Sequence, residues 1–141
     1  MTLFTLVKTP KPLVIRLLIF IGITAFIALF GYVYEQLSHG VDSNYMWFAW
    51  IWVLGFGVIP YFLILVLPIK RMPGVITESI YNLGVAMITT RSIFIGVMEI
   101  YGKTNEKMVT TYTILSILLL ISGLFMFIVG SLIPIKEETK A

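Results

Sequence analysis

The sequence predicts an all-α fold: four helices packed antiparallel into a bundle that spans a lipid bilayer. Composition is the first observation behind this. Of 141 residues, 59% are hydrophobic and 12% charged, and the mean hydropathy is +1.00. Soluble domains carry about 45–50% apolar and about 25% charged residues, so a water-soluble globule is excluded. Disorder is excluded by the same apolar excess. The second observation is run length. Four stretches, 13–34, 45–67, 75–101 and 108–135, each reach the roughly 20 residues that cross a hydrocarbon core of about 30 Å. The third is the brevity of the connections, 35–44, 68–74 and 102–107. Such loops fold consecutive helices back on one another as a single transmembrane domain and leave no room for a soluble one.

Helices are required because an unbroken apolar run must satisfy its own backbone groups in lipid. The ten-residue alternation of a transmembrane barrel is not visible. The first run is longer than the apolar part of a signal peptide, and no A-x-A site follows it, so it reads as a retained helix. The second carries Tyr45, Trp47, Trp50 and Trp52 near its start. With Tyr32, Tyr34 and Tyr101 these rings form an interfacial belt, or else a platform for a flat ligand. The same helix holds Gly55, Gly57 and Pro60 in LGFGVIPYF. A proline inside a helix deprives the carbonyl four residues earlier of its donor, here Phe56, so a break is expected at 55–60.

The third helix holds most of the polar groups. At about 100° per residue, Glu78, Tyr81, Asn82, Val85, Thr89, Ser92, Gly96 and Glu99 share one stripe. Small and polar residues mediate helix packing in lipid, and a polar stripe can equally line a path for a solute, proton or cofactor. Arg91 lies away from the stripe, near mid-helix. An arginine cannot shed its charge, and a central one costs about 2.5–3.5 kcal/mol on insertion scales. Glu99 and Glu78 are about 12 and 20 Å away along the same helix. The partners open to Arg91 are therefore carbonyls of the broken stretch in helix two, a carboxylate of another subunit, or an anionic ligand. Arg16 and Glu78 fall at similar depths, either as an ion pair or as two independent interfacial side chains. The fourth helix opens at Glu106 and Lys107 with Asn105 or Thr104 as its N-cap. Its Ser116, Ser122, Gly123 and Gly130 suit close packing.

Several chemistries lack their residues. There is no cysteine and only one histidine, His39, which removes thiolate metal sites and any bis-histidine haem clamp within one chain. Glu35, His39 and Asp42 share a loop without an established ligand spacing, and read as solvated loop residues rather than a metal site. No Walker loop, G-x-S-x-G or H-E-x-x-H is present, so no catalytic residue and no cofactor is assigned. The basic residues are too few and too scattered for nucleic acid.

Two stretches, YEQLSHGVDSNYM (34–46) and SIFIGVMEIYGKTN (92–105), resemble small four-helix membrane proteins of Gram-positive bacteria. Some of those accompany flavin-based extracellular electron-transfer components. The resemblance implies an accessory subunit of a bacterial membrane complex, with quinone or flavin partners. That family has a histidine where this chain has Asn82, which counts against a haem ligand there. The alternative is a small-solute or ion transporter or channel acting as a homo-oligomer. The chain matches small multidrug exporters in size, but its first helix lacks their mid-membrane glutamate.

Orientation follows from lysine and arginine placement. Lys8, Lys11, Arg16, Lys70, Arg71, Lys136 and Lys140 lie on one side, against Lys103 and Lys107 on the other. Both termini are therefore expected in the cytoplasm of a bacterial cell. Cysteines introduced at Ser43 and Glu138 should label from opposite sides of the membrane, Ser43 from outside; labelling of both from one side would contradict this topology.

Overall fold

The computed structural model describes residues 4–6, 11–67, 71–103 and 105–132. Four helices, each long and apolar enough to cross a membrane, form the bundle. They are α1 (Lys11–Leu37), α2 (Asn44–Val66), α3 (Val75–Ile100) and α4 (Glu106–Leu132). Two short strands, β1 (Phe4–Leu6) and β2 (Arg71–Pro73), pair antiparallel with Thr5 opposite Met72. This ribbon marks the end where α1 and α3 begin. The opposite end carries the α1–α2 and α3–α4 loops. Of the residues behind the charge bias, Lys8, Lys70, Lys136 and Lys140 lie outside the described residues. So do Thr104 and the last residues expected in helix four.

Local chemistry sets the helix ends. Asn105 caps α4, its Oδ1 accepting the Met108 N–H at 3.3 Å. α3 closes in a Schellman turn, with Gly102 N–H donating to Glu99 O and Lys103 N–H to Met98 O. Gly102 holds φ at 66°, which a side chain would resist. Helix α2 differs from expectation. Residues 55–60 are not a break: Leu54–Val58 form one π-helical turn, and the helix continues into Ile59–Val66. Pro60 has no N–H to give, and the wider turn absorbs the missing bond without parting the helix.

α3 is the central element. It packs along α4 over most of its length and against α2, while α1 packs mainly on α2. Tyr61, Ile64, Tyr81, Val85, Ile88, Leu120 and Phe127 form the main core. Within it Tyr61 stacks on Phe20 at 5.3 Å and meets Phe127 edge-on at 5.7 Å. Large apolar side chains such as Leu18, Phe26, Leu118 and Phe125 face outward, the surface a bilayer solvates.

Backbone proximity is set by small residues. A Cβ added to Gly84 would lie 2.7 Å from Leu120 Cα, and one on Gly123 2.7 Å from Tyr81 Cα. Ser116 and Gly130 are also buried, but Ser122 is exposed and bonds back to Leu119 O, so it takes no part in this interface. At the loop end Met46 is held between Gly31 and Gly96. Gly84→Leu should wedge α3 from α4 at a cost of about 1–3 kcal/mol. Gly55→Ala, where nothing lies within 4 Å, should leave stability unchanged or raised; denaturant titration in detergent followed by circular dichroism compares the two.

Candidate functional site

The polar stripe of α3 faces inward for most of its length. Glu78, Tyr81, Val85, Thr89, Ser92 and Gly96 are buried, Asn82 is half-buried and Glu99 exposed. The hydroxyls of Thr89 and Ser92 donate to Val85 O and Ile88 O of their own helix. Such back-bonding satisfies a hydroxyl locally in a dry interface.

The carboxylates that bond between helices stand near the two ends. Near the ribbon, Arg16 Nη2 of α1 lies 2.8 Å from Glu78 Oε2 of α3, so the two do pair. Glu78 Oε1 accepts from Tyr61 Oη at 3.0 Å, and Asn82 Oδ1 lies 3.2 Å from the same hydroxyl. A hydroxyl has one proton, so Tyr61 donates to one of them at a time. One helical turn further along, the Tyr81 hydroxyl donates to Phe56 O, the carbonyl that Pro60 leaves without its helical donor.

At the loop end Ser43 joins α1 to α3. Its N–H donates to Glu35 Oε1 at 3.2 Å and its Oγ–H to Glu99 Oε2 at 2.6 Å. Glu35 is thus no solvated loop residue: it is 7% exposed. Ser43 is itself buried, so the label for the loop between α1 and α2 belongs at His39 or Asp42, both exposed. Among the described residues no three His, Cys, Asp or Glu side chains converge on a metal position.

Arg91 does not reach the 55–60 stretch. Gly96 packs on Met46, which sets Arg91 level with Ile51 and leaves Phe56 about 7 Å deeper. Its side chain instead turns to the loop end. Nε donates to Thr113 Oγ1 of α4 at 2.8 Å, and the guanidinium lies 5.4 Å from the Tyr45 ring centre. Thr113 passes its own proton to Val109 O. Neither Nη group of Arg91 has a hydrogen-bond acceptor among the described residues.

Between α1 and α3, with Val53 of α2 behind, lies a cleft of ≈ 460 Å³. Arg16, Glu78 and Asn82 line one end and Ile19, Ile23, Ile27, Val85 and Ile93 line its length. A periodicity argument could find the α3 wall. It could not find the cleft, because the α1 wall carries no polar pattern to mark it.

The ion pair gives a prediction. Arg16→Met leaves Glu78 without its cation, whereas the double variant Arg16→Met/Glu78→Met replaces the pair by apolar side chains. The single variant should be the less stable by about 1–3 kcal/mol, as read by unfolding in detergent.

Comparisons with protein-family models, with curated proteins and with solved structures find no match. The resemblance of 34–46 and 92–105 thus has no family model behind it, and the geometry of a four-span membrane protein carries the functional argument.

Proposed function

We propose that the chain is an accessory or assembly subunit of a bacterial membrane complex, with both termini in the cytoplasm, and that Arg91 is its point of attachment. The supporting observation is the state of that arginine. Its Cα lies about 13 Å inside the loop end of α3. Its guanidinium is half spent on Thr113 and Tyr45. The two Nη groups form a planar fork suited to a carboxylate. A partner helix carrying Asp or Glu would complete the pair at a depth where water is scarce. The interhelical bonds of the interior, through Tyr61, Tyr81 and Ser43, fasten helices to one another, as a scaffold requires. The sequence resemblance extends the reading to a redox complex with quinone or flavin partners.

Purification of the tagged chain in mild detergent tests this. The wild-type chain should carry a membrane partner in fixed ratio. Arg91→Met should lose it while inserting and unfolding as the wild type does, since stripping one member of a desolvated pair costs about 3–5 kcal/mol. Arg91→Lys should retain it weakly, because lysine keeps the charge and loses the fork. A wild-type chain without a partner, or one whose partner survives Arg91→Met, would overturn the proposal. Solute-selective flux through the purified chain in vesicles would favour a homo-oligomeric transporter instead.

A further inference from the structure

The cleft between α1 and α3 has a composition that selects its contents. At one end Arg16, a hydrogen-bond donor, and Glu78, an acceptor, face each other at 2.8 Å, with the Asn82 amide one turn further along α3. Their charges sum to zero, so the pair offers no net charge to attract a phosphate or an ammonium. Each carboxylate oxygen accepts more than one hydrogen bond, and Glu78 uses one contact on each for Tyr61 and Arg16. The carboxylate therefore still takes a donor. Beyond this end the walls are mostly apolar, and the hydroxyls of Thr89 and Thr90 that also line them donate to Val85 O and Ala86 O of their own helix; from Glu78 to Ile93 the cleft follows α3 for about 22 Å. The volume of ≈ 460 Å³ falls in the range of about 300–1,000 Å³ typical of small-molecule sites.

We infer that this cleft binds an uncharged, hydroxyl-headed membrane lipid, its hydroxyl between Arg16, Glu78 and Asn82 and its chain along Ile19, Ile23 and Ile93. A hydroxyl both donates to Glu78 and accepts from Arg16 or Asn82. A carbonyl head leaves the carboxylate unserved, and a phosphate meets it as a like charge. The chain position is set by the polar end, which lies in the first turns of α3 and thus at the depth of an interfacial head. Diacylglycerols and long-chain isoprenoid alcohols share this chemistry. The site is separate from Arg91, which does not line the cleft.

The test is photocrosslinking of the full chain in vesicles. The probes are a diazirine-bearing diacylglycerol, an isoprenoid alcohol of similar length, and phosphatidylglycerol as the anionic comparison. At least one hydroxyl-headed probe should label peptides of α1 and α3 that line the cleft, and which of the two labels more strongly identifies the source. Ala86→Trp, on the exposed wall, should lower that labelling about tenfold by filling the space the lipid chain takes. Ile23→Trp does the same from the opposite wall should Ala86→Trp fail to fold. Arg91→Met should leave labelling unchanged. Labelling spread evenly over all lipid-facing surfaces, undiminished by both filled clefts, or as strong with phosphatidylglycerol would overturn the inference.

Discussion

The backbone of α3 comes against the backbones of both its neighbours, at Gly84 and Gly96, and the rest of the bundle is arranged around these approaches. Lipid tails are as apolar as leucine, so burial of side chains supplies no drive between helices in a bilayer. Dispersion and hydrogen bonds must hold them, and dispersion needs close approach. Gly84 admits the backbone of α4 at Leu120, and Gly123 of α4 admits that of α3 at Tyr81. Met46 lies against Gly31 on one side and Gly96 on the other, largely through its backbone, so one residue fixes the spacing of three helices.

With α3 at the centre, its polar stripe has nowhere to go but inward. The interior accepts it by a division of labour along the helix. The threonine and serine hydroxyls of α3 at mid-depth close onto their own backbone, whereas the carboxylates that bond between helices stand near the ends. Arg16 and Glu78 meet beside the ribbon, and Glu35 and Glu99 share Ser43 at the loops. Ser43 begins α2 yet does not cap it with its side chain. Its hydroxyl instead donates to Glu99, and a bond to a carboxylate is stronger than one to a neutral acceptor.

The placement of α1 follows from the same economy. It leans on α2, where Gly57 accepts the ring of Phe20, and reaches α3 through the Arg16–Glu78 pair. No interface comparable to that of α3 with α4 joins α1 to α4 among the described residues. A helix tied to α3 at its two ends, by Arg16–Glu78 and through Ser43, leaves a gap between them, and the cleft lies there. Arg91 occupies the opposite situation: it is set outside the buried stripe, turned to the loop end, and held by α4 and the first turn of α2.

The four spans were legible in the sequence because length and apolarity are one-dimensional properties. The stripe of α3 was legible because helical periodicity is local, and so was the Asn105 cap, which depends on neighbouring residues only. The proline rule also located the carbonyl of Phe56 as one needing a donor. What took that role was decided elsewhere: Tyr81 rather than Arg91, because the contact of Gly96 with Met46 shifts α3 along α2 by about one turn. The π-helical turn in place of a break, the ribbon of Phe4–Leu6 with Arg71–Pro73, the burial of Glu35 and the cleft beside α1 belong to the same class. Each depends on how far one helix slides along another, and that is set by the few places where backbones touch, which no single segment records.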